Sequence, residues 1–167
     1  MKAKAIIIMG VSGCGKTTVG QAFARQRGYS FVDADDLHPA ENIQKMKSGH
    51  PLNDADRSGW LDRIVGVARA AQQQSESCVI ACSALKKKYR DQLREGIGSV
   101  VFIYLKASFE KVAEHMRQRK DHFMPLALLQ SQFDTLEEPA ADEDAIVTIH
   151  IAESLEATIA SALQLPY

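Results

Sequence analysis

The residues with the clearest chemical meaning form a glycine-rich run that ends in lysine and threonine. Positions 10–17 read G-V-S-G-C-G-K-T, which fits the spacing G-x-x-x-x-G-K-[ST], and they follow the apolar run Ala5–Met9. In such a loop, backbone N–H groups converge on phosphate oxygens, the lysine reaches the outer phosphates and the threonine hydroxyl can bind Mg²⁺. The run predicts a nucleotide triphosphate site; the alternative is a strand-to-helix turn with an idle lysine. The predicted nucleotide-binding residues are Gly10, Val11, Ser12, Gly13, Cys14, Gly15, Lys16, Thr17 and Thr18.

Carboxylates follow the next candidate strand. The run D-A-D-D-L-H-P begins at Asp33, and alternation along an extended segment would point Asp33 and Asp35 to the same side. Beside a magnesium–triphosphate site, one carboxylate can hold the metal's water shell and the other can accept a proton from an attacking hydroxyl. Alternatively, Asp35 or Asp36 caps the following helix. His38 is predicted to be a pocket or packing histidine, because Pro39 opens that helix.

The third candidate strand separates this chain from other nucleotide-binding classes. It ends in Cys82 and Ser83, whereas motor ATPases and GTPases usually carry a metal-binding aspartate after such a strand. The guanine-reading pattern N-K-x-D is also absent from the sequence. A metal-binding acid would then have to come from the second strand, which favours a small-molecule kinase.

Three basic positions remain open to two interpretations. The run K-K-K-Y-R from Lys86, and likewise Arg57, could bind an anionic substrate or could lie on a solvated helix face. Residues 117–123 read R-Q-R-K-D-H-F and are predicted to form a mobile lid whose arginine stabilises the transferring phosphoryl group and whose closure excludes water. The alternative is an exposed helix C-terminus, which favours basic residues.

These residues need a scaffold, and the hydrophobic pattern predicts an α/β fold. Short apolar runs at 5–9, 31–33, 78–82, 100–105 and 146–151 alternate with helical patterns. Strands of this kind, separated by helices, indicate a parallel sheet covered on both faces, with ligands beyond the C-terminal ends of the strands. Three helical faces are predicted: Trp60, Ile64, Val67, Ala68 and Ala71; Leu126, Leu129, Phe133 and Leu136; and Leu155, Ile159, Ala162 and Leu163.

Length and composition limit the possible classes. The 167 residues suit one domain, and the formal net charge of −1 gives no footprint for nucleic acid or an anionic membrane. No apolar run near the N-terminus is long enough for a signal peptide or a spanning helix. The three cysteines have no zinc spacing, and Cys78 and Cys82 are too far apart along a strand for a disulfide, which fits a reducing cytoplasm.

Several segments together resemble one family, the bacterial gluconokinases of the thermoresistant type. The specific ones are D-A-D-D-L-H-P-A-E-N-I-Q-K-M (33–46), P-L-N-D-A-D-R (51–57), C-S-A-L-K-K-K-Y-R-D (82–91) and L-L-Q-S-Q-F-D-T-L-E-E-P (128–139). Shorter matches are M-G-V-S-G-C-G-K-T (9–17), W-L (60–61) and H-F-M-P (122–125). The resemblance implies ATP-dependent phosphorylation of D-gluconate at O6 with Mg²⁺. It also implies a fold like those of shikimate and nucleoside monophosphate kinases, usually as a homodimer.

The resemblance also assigns roles to residues. Asp33 matches the metal-side aspartate and Asp35 the substrate-side one, whereas Arg119 matches a lid arginine. The sugar-acid pocket is implied to contain His38, Arg57 and Lys86, within a substrate-binding region at about 34–75 and below a lid at about 117–126. The implied catalytic residues are Lys16, Asp35 and Arg119.

Three positions depart from the family's pattern. Relatives usually have glycine at 34 and 121 and arginine at 115, where this chain has Ala34, Asp121 and His115. Two further functions stay open: a related small kinase acting on shikimate or a nucleotide, and a nucleotide-binding regulatory module without turnover.

Overall fold

The computed structural model describes residues 2–118 and 126–167. Within them the chain forms five strands, seven α-helices and one 3-10 helix at Ala34–Leu37. The strands are β1 (Ala5–Met9), β2 (Ser30–Asp33), β3 (Cys78–Ala81), β4 (Val100–Lys106) and β5 (Ile146–His150). The helices are α1 (Lys16–Arg27), α2 (Ala40–Lys47), α3 (Asp54–Gln73), α4 (Lys87–Ile97), α5 (Phe109–Arg117), α6 (Leu126–Thr135) and α7 (Leu155–Leu163).

The five strands form one parallel sheet in the order β2-β3-β1-β4-β5. The predicted α/β fold with a five-stranded parallel sheet is therefore confirmed, and the strand bounds differ from the predicted ones by one residue at most. β1 is buried along its whole length because it lies in the middle of the sheet. This position explains why its sequence is an unbroken apolar run rather than an alternating one.

Two apolar clusters cover the two faces of the sheet. On one face α3 packs Trp60, Ile64 and Ala68 against the inward side chains of β1 and β4, as the sequence predicted. On the other, α1, α5, α6 and α7 pack against the alternate strand positions. The predicted face of α6 is wrong at its first residue, because Leu126 is 50% exposed while Leu129 is fully buried.

The parallel arrangement brings all strand ends to one edge. β1 leads into the glycine-rich loop and α1, β2 leads into the 3-10 helix, and β3 leads into Cys82 and Ser83. The phosphate loop, the segment of Asp33 and Asp35 and the turn of Ser83 therefore all begin at this carboxyl edge of the sheet. Across the described residues, no helix combines the length and apolar character that spanning a membrane requires.

Candidate active site

The glycine-rich loop has a backbone that only glycine tolerates at key points. Gly10, Gly13 and Gly15 have φ values of 147°, 83° and 98°. A Cβ on Gly10 would lie 2.9 Å from both Cys14 Sγ and the carbonyl oxygen of Leu105, so a side chain there would force the loop away from β4. α1 then begins at Lys16, so that its positive N-terminal end opens onto the loop.

Two side chains at the start of α1 have defined partners. Lys16 Nζ donates a hydrogen bond to the carbonyl oxygen of Val11 at 3.0 Å, within the loop. Thr17 Oγ1 donates to Asp33 Oδ2 at 2.9 Å, which joins α1 to the end of β2. The hydroxyl and carboxylate oxygens of this pair are the kind of ligands that Mg²⁺ prefers, and Mg²⁺ sites of phosphate-transferring proteins commonly use only one or two protein ligands.

Asp33 and Asp35 line the same cavity, of about 200 Å³, as the loop. The sequence analysis expected an extended segment in which alternation points Asp33 and Asp35 to the same side. That expectation is wrong, because residues 34–37 form a 3-10 helix. Neither Asp35 nor Asp36 is a helix cap; Asp33 caps the 3-10 helix by accepting from the backbone N–H of Asp35 at 3.0 Å. The other lining residues are Ser12, Gly13, Gly15, Lys16, Thr17, Thr18, Ala81, Cys82 and Ser83.

The Asp35 carboxyl is unusual among the acids of this cleft. Its side chain reaches solvent at the mouth of the cavity, yet the surrounding protein desolvates it and raises its pKa, and the charge of Asp33 adds to this effect. The ammonium of Lys16 opposes the rise. A carboxylate with a raised pKa is a better proton acceptor than an ordinary surface aspartate.

His38 follows the 3-10 helix and stacks on Trp60 of α3. The ring centroids are 4.4 Å apart and the ring planes meet at 14°. The buried amide of Asn42 contacts its Nδ1 from α2. The sequence motif contained Trp60 and Asn42, but no local pattern predicted that either would contact His38.

Arg57 and Lys86 lie in a cluster of charges around Tyr89. Arg57 Nη1 is 3.3 Å from the Tyr89 hydroxyl, and Lys86 Nζ is 3.4 Å from Asp54 Oδ1. Lys88 and Tyr89 also bond to Asp54, and these two contacts hold the pKa of its carboxyl below the usual range. Sequence analysis missed Asp54 because its partners lie more than 30 residues further along the chain.

Arg90 belongs to the basic run but is not solvated. It is fully buried, bonds to both carboxylate oxygens of Glu143, and donates to the carbonyl oxygens of Ala84, Leu85 and Glu137. The solvated-face interpretation is therefore wrong for this residue. Its bonds fix the turn between β3 and α4, which carries Ser83 and Lys86.

Helix α6 touches the phosphate loop through a residue that the sequence did not single out. Gln132 Oε1 accepts hydrogen bonds from the backbone N–H of Ser12 at 3.3 Å and from its hydroxyl at 3.2 Å. α6 is also the first helix after the predicted lid, so this contact joins the loop to the segment that follows the lid. The lid residues Arg119 and Asp121 lie outside the described residues.

A second cavity, of about 310 Å³, opens on the other side of the loop. It is bounded by Gly13 and Gly15 of the loop and by His115 and Gln118, which lie at the C-terminal end of α5. Residues 153–156 at the start of α7 close its remaining side. The two cavities therefore share the loop as a common wall.

The family model for shikimate kinase matches residues 12–163. Shikimate kinase from Bacteroides thetaiotaomicron has the same fold, with a TM-score of 0.61 at 18% identity over 96% of this chain and 94% of the other. Together with the loop cleft at the carboxyl edge of the sheet, these findings define a P-loop kinase of the shikimate kinase type.

More similar proteins identify the family within that class. The chain is 46% identical to thermoresistant gluconokinase of Escherichia coli, over 95% of this chain and 90% of the relative. It is 48% identical to thermosensitive gluconokinase of the same organism, over 90% and 81% of the two chains. A gluconokinase structure from Sinorhizobium meliloti superposes with a TM-score of 0.85 at 45% identity, covering 97% of this chain and 90% of the other. The chain belongs to the gluconokinase family.

Proposed function

We propose that this protein transfers the γ-phosphoryl group of ATP to O6 of D-gluconate, producing 6-phospho-D-gluconate and ADP. The observation that carries the proposal is that Lys16, Thr17 and the carboxylates of Asp33 and Asp35 line one cavity. The identity to gluconokinases supports gluconate as the acceptor.

The phosphate loop is proposed to bind the triphosphate. The N-terminus of α1 opens onto the loop and favours an anion there, and Lys16 adds a positive charge. The Lys16 ammonium would exchange its bond to the Val11 carbonyl for bonds to phosphate oxygens. The nucleoside is placed in the cavity on the other side of the loop, beside His115 and Gln118.

The hydroxyl–carboxylate pair of Thr17 and Asp33 fits a magnesium ion, and we place the ion there. Bound Mg²⁺ neutralises charge on the triphosphate during transfer. Asp33 is held by the backbone N–H of Asp35 as well as by Thr17, so its carboxylate is fixed before any ligand binds. Fixed groups of this kind stabilise charge without reorganising during the reaction.

Asp35 is proposed to orient the acceptor hydroxyl and take its proton. Its raised pKa and its place beside Lys16 suit that role. His38, Arg57 and Lys86 are proposed to bind the sugar acid. They lie outside the lining of the loop cavity, but Asp35 and Arg57 both act electrostatically on the His38 ring, and Lys86 lies with Arg57 at Tyr89. Arg119 remains a predicted lid arginine.

Two properties of the molecule outside the reaction are also proposed. The resemblance implies a homodimer, which sedimentation velocity would test. A reducing, cytoplasmic environment suits Cys78 and Cys82, which are buried free thiols whose pKa values burial raises to about 11 and about 12.

An ADP-release assay with purified protein tests the function. Gluconate, shikimate and nucleoside monophosphates are offered separately with Mg·ATP, and Lys16→Ala serves as the control for contaminating kinases. We expect turnover only when gluconate is the acceptor. In a ³¹P–¹H correlation spectrum of the product, phosphorus should couple to the C6 methylene protons. Turnover with another acceptor instead would overturn the substrate, and ATP binding without turnover would indicate a regulatory module.

A further inference from the structure

A buried amide on α2 contacts the imidazole of His38. Asn42 is 4% exposed, and its Nδ2 donates to the backbone carbonyl oxygen of Asp56 at 3.1 Å. Because a carbonyl oxygen only accepts hydrogen bonds, this contact fixes which end of the amide is the NH₂ group. The same Nδ2 lies 3.3 Å from His38 Nδ1. Nδ1 must therefore accept, and the proton of a neutral ring must be on Nε2.

The indole of Trp60 fixes the plane of the same ring. It stacks on His38 at 4.4 Å and is itself anchored, because its Nε1 donates to the carbonyl oxygen of Ala34 at 2.6 Å. Trp60 and Ala34 are both buried. The imidazole plane is thus tied to the 3-10 helix that carries Asp35, and not only to its own backbone.

The second ring nitrogen of His38 is available to a ligand. Within residues 2–118 and 126–167, His38 Nε2 has no hydrogen-bond partner. Every fully buried side-chain nitrogen or oxygen in these ranges does have a hydrogen-bond partner, so Nε2 cannot be fully buried and reaches solvent. Two charged groups in these ranges act on the imidazole of His38. They are Asp35, in the 3-10 helix that precedes His38, and Arg57 of α3. The Asp56 carboxylate, on the far side of Asn42, is paired with Lys45.

The environment also favours the neutral ring over the protonated one. Burial lowers the pKa of His38; Asp35 opposes this and Arg57 adds to it. A protonated ring would in addition direct an Nδ1–H at the Asn42 NH₂ group, so that two donors would face each other at 3.3 Å.

We propose that Asn42 and Trp60 are positioning residues that hold His38 as its Nε2–H tautomer, a fixed neutral donor to an acceptor oxygen of the sugar-acid substrate beside Asp35. The identity of the ligand rests on the proposed function, whereas the tautomer does not. A neutral donor of fixed direction recognises a hydroxyl or carboxylate oxygen without the cost of desolvating a cation.

Long-range ¹H–¹⁵N NMR on the full chain reads the tautomer directly. The His38 signals are assigned by their loss in His38→Gln, and spectra are recorded from about pH 6 to 8, where an ordinary histidine would titrate. We expect protonated Nε2 and unprotonated Nδ1 at the upper end, with titration below the reference value of 6.5. A dominant Nδ1–H tautomer would overturn the proposal.

Removing the amide tests its role in binding. Asn42→Ala should give a mixture of tautomers and raise the KM for gluconate about three- to tenfold, the range expected for one hydrogen bond, with kcat within about twofold. Gln44→Ala, an exposed residue on the same helix, is the matched control and should leave both unchanged. An unchanged tautomer and KM in Asn42→Ala would overturn the proposal.

A second pair of variants covers the case in which Asn42→Ala does not fold. His38→Gln keeps an N–H donor near the position of Nε2, whereas His38→Leu has none. We expect the KM for gluconate to rise much less in His38→Gln than in His38→Leu. An equal rise in the two variants would overturn the donor role. A chain with the Nε2–H tautomer that does not phosphorylate gluconate would overturn only the proposed function, since the NMR measurement needs no turnover.

Discussion

Thr17 Oγ1 and Asp33 Oδ2 are 2.9 Å apart, and this bond joins the first turn of α1 to the end of β2. The two residues are 16 positions apart in sequence. The contact places a carboxylate beside the phosphate loop although the strand before that loop, β1, is not the neighbour of β2 in the sheet. Because Asp33 is bonded to Thr17, its proposed role at the magnesium ion can be tested separately from the proposed role of Asp35 at the acceptor hydroxyl.

Lys16→Ala should lower turnover severely without unfolding the protein. Lys16 is half-buried in the loop and outside both apolar clusters, and the loss of one donor directed at the transition state typically costs about 10²–10³ in rate. Steady-state kinetics and thermal unfolding provide the two measurements. Arg25→Ala, exposed in the last turn of the same helix, should retain activity. A Lys16→Ala enzyme within a few-fold of the unmodified protein would remove Lys16 from the mechanism.

Asp35→Asn and Asp33→Asn should impair different kinetic properties of the enzyme. The Asp35 amide keeps the shape but cannot accept a proton, so kcat should fall far more than ATP affinity. Asp33→Asn should shift the Mg²⁺ dependence, because a carboxylate ligand is lost. Magnesium titrations of kcat and KM separate the two, with the exposed neighbour Asp36→Asn as the control. Identical magnesium curves for the two variants would contradict the assigned roles.

Gln132→Leu should weaken ATP binding. The substitution removes both hydrogen bonds to Ser12, and the loss of one or two such bonds corresponds to an increase of about three- to tenfold in the KM for ATP. Gln130→Leu is the matched control, because Gln130 lies on the same helix and, among the described residues, bonds only to the exposed Asp134. Equal effects of the two substitutions would mean that α6 affects the loop through helix stability and not through Gln132.

Arg90→Met should destabilise the fold strongly, since it leaves Glu143 buried without its main partner. Removing one member of a buried pair typically costs about 3–5 kcal/mol. Chemical denaturation measures the loss, and Lys87→Met, which breaks an exposed pair with Asp91, should cost less than about 1 kcal/mol. A loss for Arg90→Met no larger than that of the control would contradict the structural role.

The same pair predicts how stability depends on pH. Burial by itself would raise the pKa of Glu143, but the bonds from Arg90 and Arg94 outweigh it and lower the pKa to about 2. A carboxyl whose pKa is lower in the folded state stabilises the fold above its unfolded value of 4.5, and this contribution disappears as pH falls towards 2. Glu143→Gln should flatten the acid limb of the stability curve; an unchanged limb would assign acid unfolding to other groups.

The lid prediction concerns residues outside the described ranges. Arg119→Ala should cost at least about tenfold in turnover, or roughly 1.4 kcal/mol. If the lid closes over ATP as predicted, Asp121→Gly should improve ATP affinity or kcat, because a carboxylate there would oppose the phosphates, and added salt should reduce the gain by screening. If Asp121→Gly changes neither ATP affinity nor kcat while Arg119→Ala lowers turnover strongly, the lid hypothesis stands. Asp121 would then point away from the phosphates.

The sequence by itself determined the elements and the family. A strand, a glycine-rich turn and a helix occur in succession, so the phosphate loop is a local pattern that G-V-S-G-C-G-K-T specifies almost completely. Apolar runs predicted all five strands. The three inner strands β1, β3 and β4 are buried almost throughout and leave no room for polar residues, whereas the edge strands β2 and β5 are only partly buried and carry some. The segments around Asp35 and Lys86 were specific enough to predict the family that the comparisons confirmed.

Only the tertiary structure decided which side chains meet. Trp60 of α3 stacks on His38, which follows the 3-10 helix, and Arg90 meets Glu143 across 53 positions, so no periodicity of the sequence contains these contacts. The basic run from Lys86 shows why: a helix presents successive residues to different surroundings, and its neighbours alone determine that Arg90 is buried while Lys88 is exposed. Local sequence fixes backbone conformation, but burial and pairing depend on segments that the chain brings together from far apart.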